Sequence, residues 1–429
     1  MLKAVFYTLG CRLNQTESAI MAKGLENAGY IIEESGNDAD LYIINTCTVT
    51  NQSNSKCRKK IRSIQKTSPN SIIAVVGCFS QIASEQILEI GGVHLILGNQ
   101  EKLNLHEYLP EISTSDQPVV HIGKLSKEPF SIATIGQHLN TTRANLKIQD
   151  GCDFICSFCV IPSARGRSRP RQPENIREEL KKLEEDGIKE VILTGVNVGT
   201  YQFETIDFIK LLDIFEEFDG IKRVRISSIE PTTVGTEIFE WMKNDSKILP
   251  YLHLPLQSAN NKILAKMRRR YTFEEYLDFI NQAKQEVPNI CIGSDVIVGF
   301  PAEDDTVFGD TFTALSKAPI DYFHVFPYAE RKGTTSEKLT PKIDKKEIQR
   351  RALVLRELSD QKRQGFIKQN LGNTLKVLFE KVTGENNWQG YSENYIRVTV
   401  KSEVNLKNQI RSVLITDVRG DLVFGKLVS

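Results

Sequence analysis

The sequence predicts an α/β protein in three parts: an N-terminal parallel-sheet domain over residues 1–110, an open (β/α)6 barrel over 138–368 and a small all-β barrel over 371–429. Three observations predict it. Strand-like apolar runs alternate with helical patterns through the N-terminal part, which calls for parallel strands. Six more such runs, separated by amphipathic helical patterns, follow a connection rich in Pro and Ser. From Thr374 onward the pattern changes to short alternating strands at close spacing. A chain of 429 residues has the length for two or three domains of this kind.

In the N-terminal part, Lys3–Leu9 reads as a strand followed at once by Gly10-Cys11, and a helical pattern runs from about Gln15 to Asn27. Asp40–Ile44 is a second buried strand and ends at Asn45-Thr46-Cys47. A polar, helix-compatible stretch covers about Ser53–Gln65. Ile72–Val76 is a third strand and ends at Gly77-Cys78. Parallel strands leave all their C-termini along one edge, where ligands bind. Cys11, Cys47 and Cys78 should therefore converge as a second set of three thiolates, a site for a second cluster. Three inert buried cysteines are the other reading, since Cys also serves as a small core residue. Cys57, among Lys56, Arg58 and Lys59, and Cys291, inside an apolar run, are read as non-ligating. Residues Leu103 to His138, with Pro110, Ser113, Ser115, Pro118 and Pro129, read as the connection between domains. No Walker-type phosphate loop and no G-x-G-x-x-G after a strand is present, which disfavours an ATPase or a nicotinamide dehydrogenase.

The six barrel strands are expected at Ala144–Gln149, Glu190–Thr194, Arg223–Ser227, Tyr251–Leu256, Ile292–Val298 and Tyr322–Phe326. The first leads into Gly151-Cys152-Asp153-Phe154-Ile155-Cys156-Ser157-Phe158-Cys159, a C-x3-C-x2-C loop at the mouth end, where barrel enzymes do their chemistry. Three thiolates on one short loop can hold a cubane 4Fe–4S cluster by three of its four irons, leaving the fourth for a ligand that is not protein. The spacing resembles the signature of the radical S-adenosylmethionine superfamily, whose open iron grips that cofactor by its amino and carboxylate groups. A structural zinc site is the alternative, but closed zinc sites want four ligands in paired C-x2–4-C units, and the nearest further Cys or His is His138. Other strand ends offer Gly195-Val196-Asn197, then Ser227, Ser228 and Glu230, then Gln257-Ser258, then Gly299-Phe300-Pro301. Gly195, Asn197, Glu230, Gln257 and Gly299, with Phe158 of the cysteine loop, are the candidate cofactor contacts. Strand ends also turn with such residues for local reasons. His253, inside a strand, reads as a satisfied core histidine.

The N-terminus opens on a strand, with no basic segment leading into an apolar stretch, and no apolar run is long enough for a bilayer. A cytoplasmic protein without a membrane partner is expected. Eight cysteines in a reducing compartment point to metal rather than to disulfides. The net charge of +1 decides nothing about nucleic acid, but its distribution does more. Arg165, Arg167, Arg169 and Arg171 alternate, and in an extended segment period two sets them on one face. Lys266, Arg268, Arg269 and Arg270 form a second knot, and a basic helix over about Asp344–Asn370 carries Arg350, Arg351, Arg356, Lys362 and Arg363. A solvated basic surface is the plain reading. The ladder's start six residues after Cys159 favours an anionic partner, with Arg165, Arg167, Arg169 and Arg269 as candidate RNA contacts. The tail strands, Leu375–Glu380, Tyr395–Val400, Gln409–Val418 and Leu422–Lys426, suit a small RNA-binding barrel.

Together these residues resemble the methylthiotransferase family across nearly the whole chain. The resemblance rests on Tyr7-Thr8-Leu9-Gly10-Cys11-Arg12-Leu13-Asn14-Gln15, on Asn45-Thr46-Cys47-Thr48-Val49-Thr50, and on Ile148-Gln149-Asp150-Gly151-Cys152 through Ile161-Pro162 and Ala164-Arg165-Gly166-Arg167-Ser168-Arg169. Gly390-Tyr391-Ser392-Glu393-Asn394-Tyr395 is similar to the pattern of a TRAM domain. Within the family the match is to the branch that acts on threonylcarbamoyladenosine in bacterial tRNA. The relatives acting on isopentenyladenosine usually carry a different block after the second cysteine. One departure is Ser258-Ala259, where relatives often have Ser-Gly.

The resemblance implies a radical S-adenosylmethionine core with a TRAM domain after it, and two 4Fe–4S clusters, on Cys152, Cys156 and Cys159 and on Cys11, Cys47 and Cys78. It implies that one S-adenosylmethionine methylates a sulfur carried at the second cluster. Another is cleaved to a 5′-deoxyadenosyl radical that removes hydrogen from C2 of adenine, where the methylthio group then enters. An aromatic C–H offers no acidic proton, so a cofactor must supply the radical. A base in the single-stranded tRNA anticodon loop is reachable without melting a duplex, and binding through phosphates should weaken with salt. An electron donor such as flavodoxin or ferredoxin is implied. The rival readings are a ribosomal-protein methylthiotransferase, methylthiolation of isopentenyladenosine, and a non-catalytic iron–sulfur RNA-binding module.

Overall fold

The computed structural model describes residues 1–36, 38–48, 51–112, 117–135, 141–243 and 246–428, with 51–53 described by backbone alone. Val49 and Thr50 of the block after Cys47, Ser113 and Ser115 of the expected connection, and His138, where the barrel domain was expected to begin, lie outside the described residues.

The N-terminal part holds β1 (Lys3–Thr8), α1 (Arg12–Asn27), β2 (Ile31–Glu33), β3 (Leu41–Thr46), α2 (Asn51–Thr67), β4 (Ile72–Gly77), α3 (Cys78–Leu88), β5 (Leu95–Leu97), α4 (Leu105–Ile112) and β6 (Val119–His121). The strands form one parallel sheet in the order β2-β1-β3-β4-β5-β6. Strand β3 shows why. Its alternate side chains serve two cores: Tyr42 and Ile44 pack with Cys57, Ile61 and Ile64 of α2, while Leu41 and Ile43 pack with Met21 and Leu25 of α1. A strand covered on both faces reads as a continuous apolar run. The sheet runs on to β6, beyond the boundary expected at 110, and α4 carries Pro110 within the stretch read as a connection. A three-residue edge strand and an eight-residue helix interrupted by Pro are too short to show a period.

The middle part comprises β7 (Arg143–Lys147), β8 (Gln149–Asp150), α5 (Ile161–Arg165), β9 (Arg169–Pro170), α6 (Pro173–Glu185), β10 (Glu190–Thr194), β11 (Gln202–Phe203), β12 (Ile206–Asp207), α7 (Phe208–Glu216), β13 (Arg223–Ile226), α8 (Glu237–Trp241), β14 (Tyr251–His253), α9 (Asn261–Met267), α10 (Phe273–Glu286), β15 (Cys291–Val298), α11 (Asp305–Lys317), β16 (Tyr322–Pro327) and α12 (Lys345–Gln369). The ladders β13-β10-β7 and β14-β15-β16 are both parallel. The bridges Val224↔Ile248 and Ser228↔His253 join them into one open barrel of six strands, as expected. Period two sets the two faces. Leu252, Ile292, Val296, Phe323 and Val325 pack in the main core with Leu355 and Leu358 of α12. The intervening residues, His253, Asp295, Tyr322 and His324, face the lumen and lie against one another.

The C-terminal part is a closed five-stranded barrel, β17 (Thr374–Thr383), β18 (Asn387–Ser392), β19 (Arg397–Lys401), β20 (Ile410–Arg419) and β21 (Leu422–Leu427), in the order β17-β18-β19-β21-β20. The sequence does not mark β18 as a strand, because its strand-favouring Trp388 and Tyr391 stand among Asn, Gln, Gly and Ser, which also read as a turn. Its Gly390 is required by close approach: a Cβ there would lie 2.2 Å from the Leu378 carbonyl oxygen. This barrel docks on the middle part through arginines. Arg225 donates to the Ser392 and Glu393 carbonyls at 3.1 Å each, and Arg223 to the Tyr391 and Lys376 carbonyls. Both are held by the buried carboxylate of Glu190. Tyr395 packs between Tyr251 and Tyr391, and Arg12 of α1 donates to its hydroxyl, so all three parts meet at this tyrosine. The Gly390–Tyr395 block is thus mostly turned into this joint.

Candidate functional site

Three cysteines stand at the C-terminal edge of the first sheet. Register aligns Thr8 with Asn45 and Thr46 with Gly77, so the ends of β1, β3 and β4 are level and about 4.8 Å apart between neighbours. Cys11 is the exposed N-cap of α1, Cys47 follows β3 directly, and Cys78 opens α3. Gly10 lies against Cys47, so that a Cβ at Gly10 would sit 2.8 Å from its sulfur. Two of the three occupy helix N-termini, where the exposed N–H groups favour a thiolate. Asn99 donates to Cys78 Sγ at 3.5 Å and to the Ala164 carbonyl at 2.7 Å.

The second set follows β8. Gly151 turns with φ +72°, and a Cβ there would lie 1.9 Å from the Arg167 carbonyl oxygen, so only glycine lets the chain enter the loop. Each sulfur meets one N–H at 3.4 Å: Phe154 N–H for Cys152, Arg269 Nη1 for Cys156 and Ile161 N–H for Cys159. N–H donors on the sulfurs are one of the means by which proteins tune iron–sulfur clusters. Burial pushes the Cys152 thiol up to about 11 and the Cys159 thiol up to about 12, so a metal must displace their protons on binding. Cys57 and Cys291 lie elsewhere, buried in the N-terminal core and in the joint with the C-terminal barrel. No cysteine is disulfide-bonded.

The strand ends around this loop are drawn together by Gln149. Its amide nitrogen donates to the Gly151 carbonyl at 2.7 Å, and its oxygen accepts from Val196 N–H at 2.9 Å and Asn197 N–H at 3.1 Å. Asn197 is buried, its oxygen facing Glu230 N–H and the Thr233 hydroxyl, and its amide nitrogen has no partner among the described residues. A buried, unsatisfied donor at the mouth suits a polar ligand. Gln257, with φ +70°, pairs through its backbone with β15. Gly195 packs on Gln149, Gly299 on Ile348 of α12, and Phe158 edge-on to Phe300. Gly299 therefore turns to let α12 pack. Glu230 is bound to Arg269; burial raises its carboxyl, and Arg269 offsets only part of that rise. Three sulfurs with N–H donors, beside an unsatisfied amide and a carboxylate–guanidinium pair, fit a cluster with an amino-acid-bearing cofactor.

The arginine ladder is corrected by the structure. Arg165 ends helix α5 and is buried: it donates to Glu17 Oε1 and Oε2 at 2.9 Å each, to Asp150 at 3.0 Å and to Asn14 at 2.8 Å. Arg169 is buried beside Asp150 over the Phe130 ring, and Arg171 is buried beside Glu179. Arg269 is buried between Glu230, Tyr271 and Cys156. Arg165, Arg169 and Arg269 therefore do not present themselves to RNA, because each guanidinium is already committed to a buried acid. Arg167 alone of the four candidates is half-exposed, near Asp153.

Sequence reasoning missed the partners: Glu17 of α1, which also binds Lys102 at 2.6 Å and Lys147 at 2.8 Å, and Asp150, which binds Lys147 at 2.8 Å. This knot joins the first sheet to the barrel beside Cys78. Burial opposes the charge of Arg165, but Cys78, Glu17 and Asp150 outweigh it and hold its pKa well above the ordinary value. A further contact brings the cysteine sets together. Helix α3, opened by Cys78, packs on α5, which follows Cys159. The loop after β16 meets the second set: Ser336 N–H donates to the Ser157 carbonyl at 2.8 Å, while burial lowers the Arg331 pKa.

A family model described as the Radical SAM superfamily matches residues 146–315, and one described as Uncharacterized protein family UPF0004 matches residues 3–98. The Threonylcarbamoyladenosine tRNA methylthiotransferase MtaB of Bacillus subtilis is 34% identical over 423 residues, covering 97% of this chain and 94% of that protein. The tRNA-2-methylthio-N(6)-dimethylallyladenosine synthase of Lachnoclostridium phytofermentans is 32% identical over 436 residues, covering 98% and 94%. Among solved structures, the radical S-adenosylmethionine methyltransferase TsrM of Kitasatospora setae has a TM-score of 0.59 at 13% identity, over 78% of this chain and 77% of that one, a likeness of fold. With its C-x3-C-x2-C loop at the mouth of an open six-stranded barrel and near-full-length identity to these enzymes, the chain belongs to the radical S-adenosylmethionine methylthiotransferases.

Proposed function

We propose that the protein adds a methylthio group to C2 of N6-threonylcarbamoyladenosine next to the anticodon of tRNA, in the cytoplasm. The observation that supports this reading is the packing of α3, opened by Cys78 at the edge of the N-terminal sheet, on α5, which follows Cys159 at the barrel mouth, with Asn99 bonded to both the Cys78 sulfur and the Ala164 carbonyl. Cys152, Cys156 and Cys159 would hold one 4Fe–4S cluster, with S-adenosylmethionine near Asn197 and Glu230. Cys11, Cys47 and Cys78 would hold the second. When bound, these groups supply the one-electron chemistry and the sulfur that replace an aromatic C–H bond by C–S.

The chain's own residues orient and enclose. Gln149 fixes the Val196-Asn197 turn against the cysteine loop, the buried amide of Asn197 would donate to the cofactor, and Arg269 keeps Glu230 aligned. The Glu17–Arg165 knot sets the spacing between the two sets of sulfurs. An electron donor such as flavodoxin or ferredoxin would supply the electron that the cluster on Cys152, Cys156 and Cys159 passes to S-adenosylmethionine. The choice of threonylcarbamoyladenosine is supported by the block after Cys47 and by the relatives of that name in Bacillus subtilis and Aquifex aeolicus. The dimethylallyladenosine relative, at comparable identity, supports a second reading. Mass spectrometry of tRNA nucleosides from a deletion strain decides between them. Loss of the methylthiolated threonylcarbamoyl nucleoside is expected; its persistence refutes the first reading, and loss of the isopentenyl product instead establishes the second.

A further inference from the structure

Strand β16 is the last of the open barrel, and α12 crosses it. Between them lies an open pocket of about 400 Å³, within the range of small-ligand sites. Its strand side presents the lumen-facing Tyr322, His324 and Phe326, and its helix side presents Arg356, Asp360 and Arg363. Positions 356, 360 and 363 are spaced by four and three, so they share one helix face. Among the described residues neither arginine has an ion-pair partner, in contrast to Arg165, Arg169, Arg171, Arg223, Arg225, Arg269 and Arg351, all buried against acids. Asp360 shares the wall without pairing with either, so the helix side carries one net positive charge. The Arg363 guanidinium lies 5.5 Å from the Tyr322 ring centre.

The pocket connects inward. The His324 ring is 5.6 Å from that of His253, deeper in the lumen. Phe326 is two residues, about 7 Å along the strand, from Tyr328. The Tyr328 ring is 5.3 Å from Phe300, which meets Phe158 of the cysteine loop. From Tyr328 the chain enters the loop whose Ser336 N–H meets the Ser157 carbonyl of the cysteine loop.

We propose that this pocket seats an anionic N6 substituent of the target adenosine, with the Arg363 and Arg356 guanidiniums gripping its carboxylate. This rests on the proposed function and names the residues that choose between its two substrates. In adenine, C2 and C6 flank N1, so a base that offers C2 to the cysteine loops extends its N6 substituent sideways along the lumen wall. A guanidinium meets a carboxylate in a bidentate fork. An isopentenyl group in the same place gains no such contact, and the pocket favours the carboxylate by that difference.

The test uses reconstituted full-length protein and anticodon stem-loop RNAs carrying threonylcarbamoyladenosine, its neutral methyl ester, isopentenyladenosine or plain adenosine. Binding is read by fluorescence anisotropy. Wild type should favour the free carboxylate over the ester by tenfold to a hundredfold, about what one charged hydrogen-bonded contact is worth. Arg363→Gln and Arg356→Gln should each erase most of that preference while leaving affinity for plain adenosine RNA unchanged, and Arg363→Lys should restore part of it. Equal loss on every RNA would mean a phosphate contact and overturn the proposal, as would a preference unaltered in both variants. If wild type methylthiolates isopentenyladenosine RNA and ignores the threonylcarbamoyl RNA, the substrate reading itself fails. Conversion of the threonylcarbamoyl RNA without any arginine effect removes only the pocket assignment. Iron content and circular dichroism matching wild type confirm that each variant is folded.

Discussion

Glu17→Gln is the sharpest perturbation of the joint between the two cysteine sets. Glu17 is fully buried and meets Lys102 at 2.6 Å, Lys147 at 2.8 Å and Arg165 at 2.9 Å. Gln keeps the shape but removes the charge, leaving buried Lys102 without its carboxylate and Lys147 and Arg165 with Asp150, which Arg169 also shares. Its amide nitrogen also points a donor at groups that can only donate. Removing one partner of a buried ion pair costs about 3–5 kcal/mol, against a whole-domain stability of about 5–15 kcal/mol. A chain of several domains has no single unfolding free energy, so the local reading is amide hydrogen exchange. The α1 and β7 amides flanking the knot should exchange about a hundredfold to a few thousandfold faster in the variant, while β19 and β20 stay unchanged. A change below about fivefold, the size of a surface pair, would refute the claim that this knot holds the first sheet to the barrel.

Two further outcomes follow from the same geometry. Burial raises the Glu17 carboxyl, but Arg165, Lys102 and Lys147 outweigh it, and Glu190 is likewise lowered by Arg225, Arg223 and Arg143 against its burial. A lowered carboxyl contributes stability that is complete above the unfolded value near 4.3 and is lost as pH falls through the folded value. Urea midpoints should therefore show no loss from these groups between pH 7 and 5 and a steep fall below about pH 4, shallower in Glu17→Gln; a fall already complete at pH 5 would contradict the sign. Cys78→Ala should lower reconstituted iron from about eight to about four atoms per chain, whereas Cys57→Ser, in the apolar core, should keep all of it; full iron in Cys78→Ala would remove Cys78 from the ligand set.

The parts that were legible are those where chemistry is local. The six barrel strands show as apolar runs because their outer faces pack under helices, and Cys11, Cys47 and Cys78 mark strand ends because parallel strands share one edge. The arginine ladder misled because period two assumes an extended chain, whereas Arg165 closes a helical turn and only Arg169 lies in a strand. Its partner Glu17 lies 148 residues away, and nothing local distinguishes that Glu from any other acid on an amphipathic helix. Strand β6 is too short for a period, and in β18 the aromatics Trp388 and Tyr391 stand among turn-favouring Asn, Gly and Ser, so barrel closure decides it. The pocket arginines on α12 look in sequence like their neighbour Arg351, which is buried against Glu303 at 3.0 Å; the difference is which helix face packs.

The central claim is that two clusters sit on the two cysteine sets and face one another closely. Electron paramagnetic resonance of the reduced, reconstituted protein tests it directly. Spectra of the wild type should show dipolar broadening from two interacting paramagnets, absent from the Cys78→Ala and Cys156→Ala variants, each of which keeps one narrow signal. A wild-type spectrum equal to the plain sum of the two variants' signals would place the clusters too far apart to work on one base.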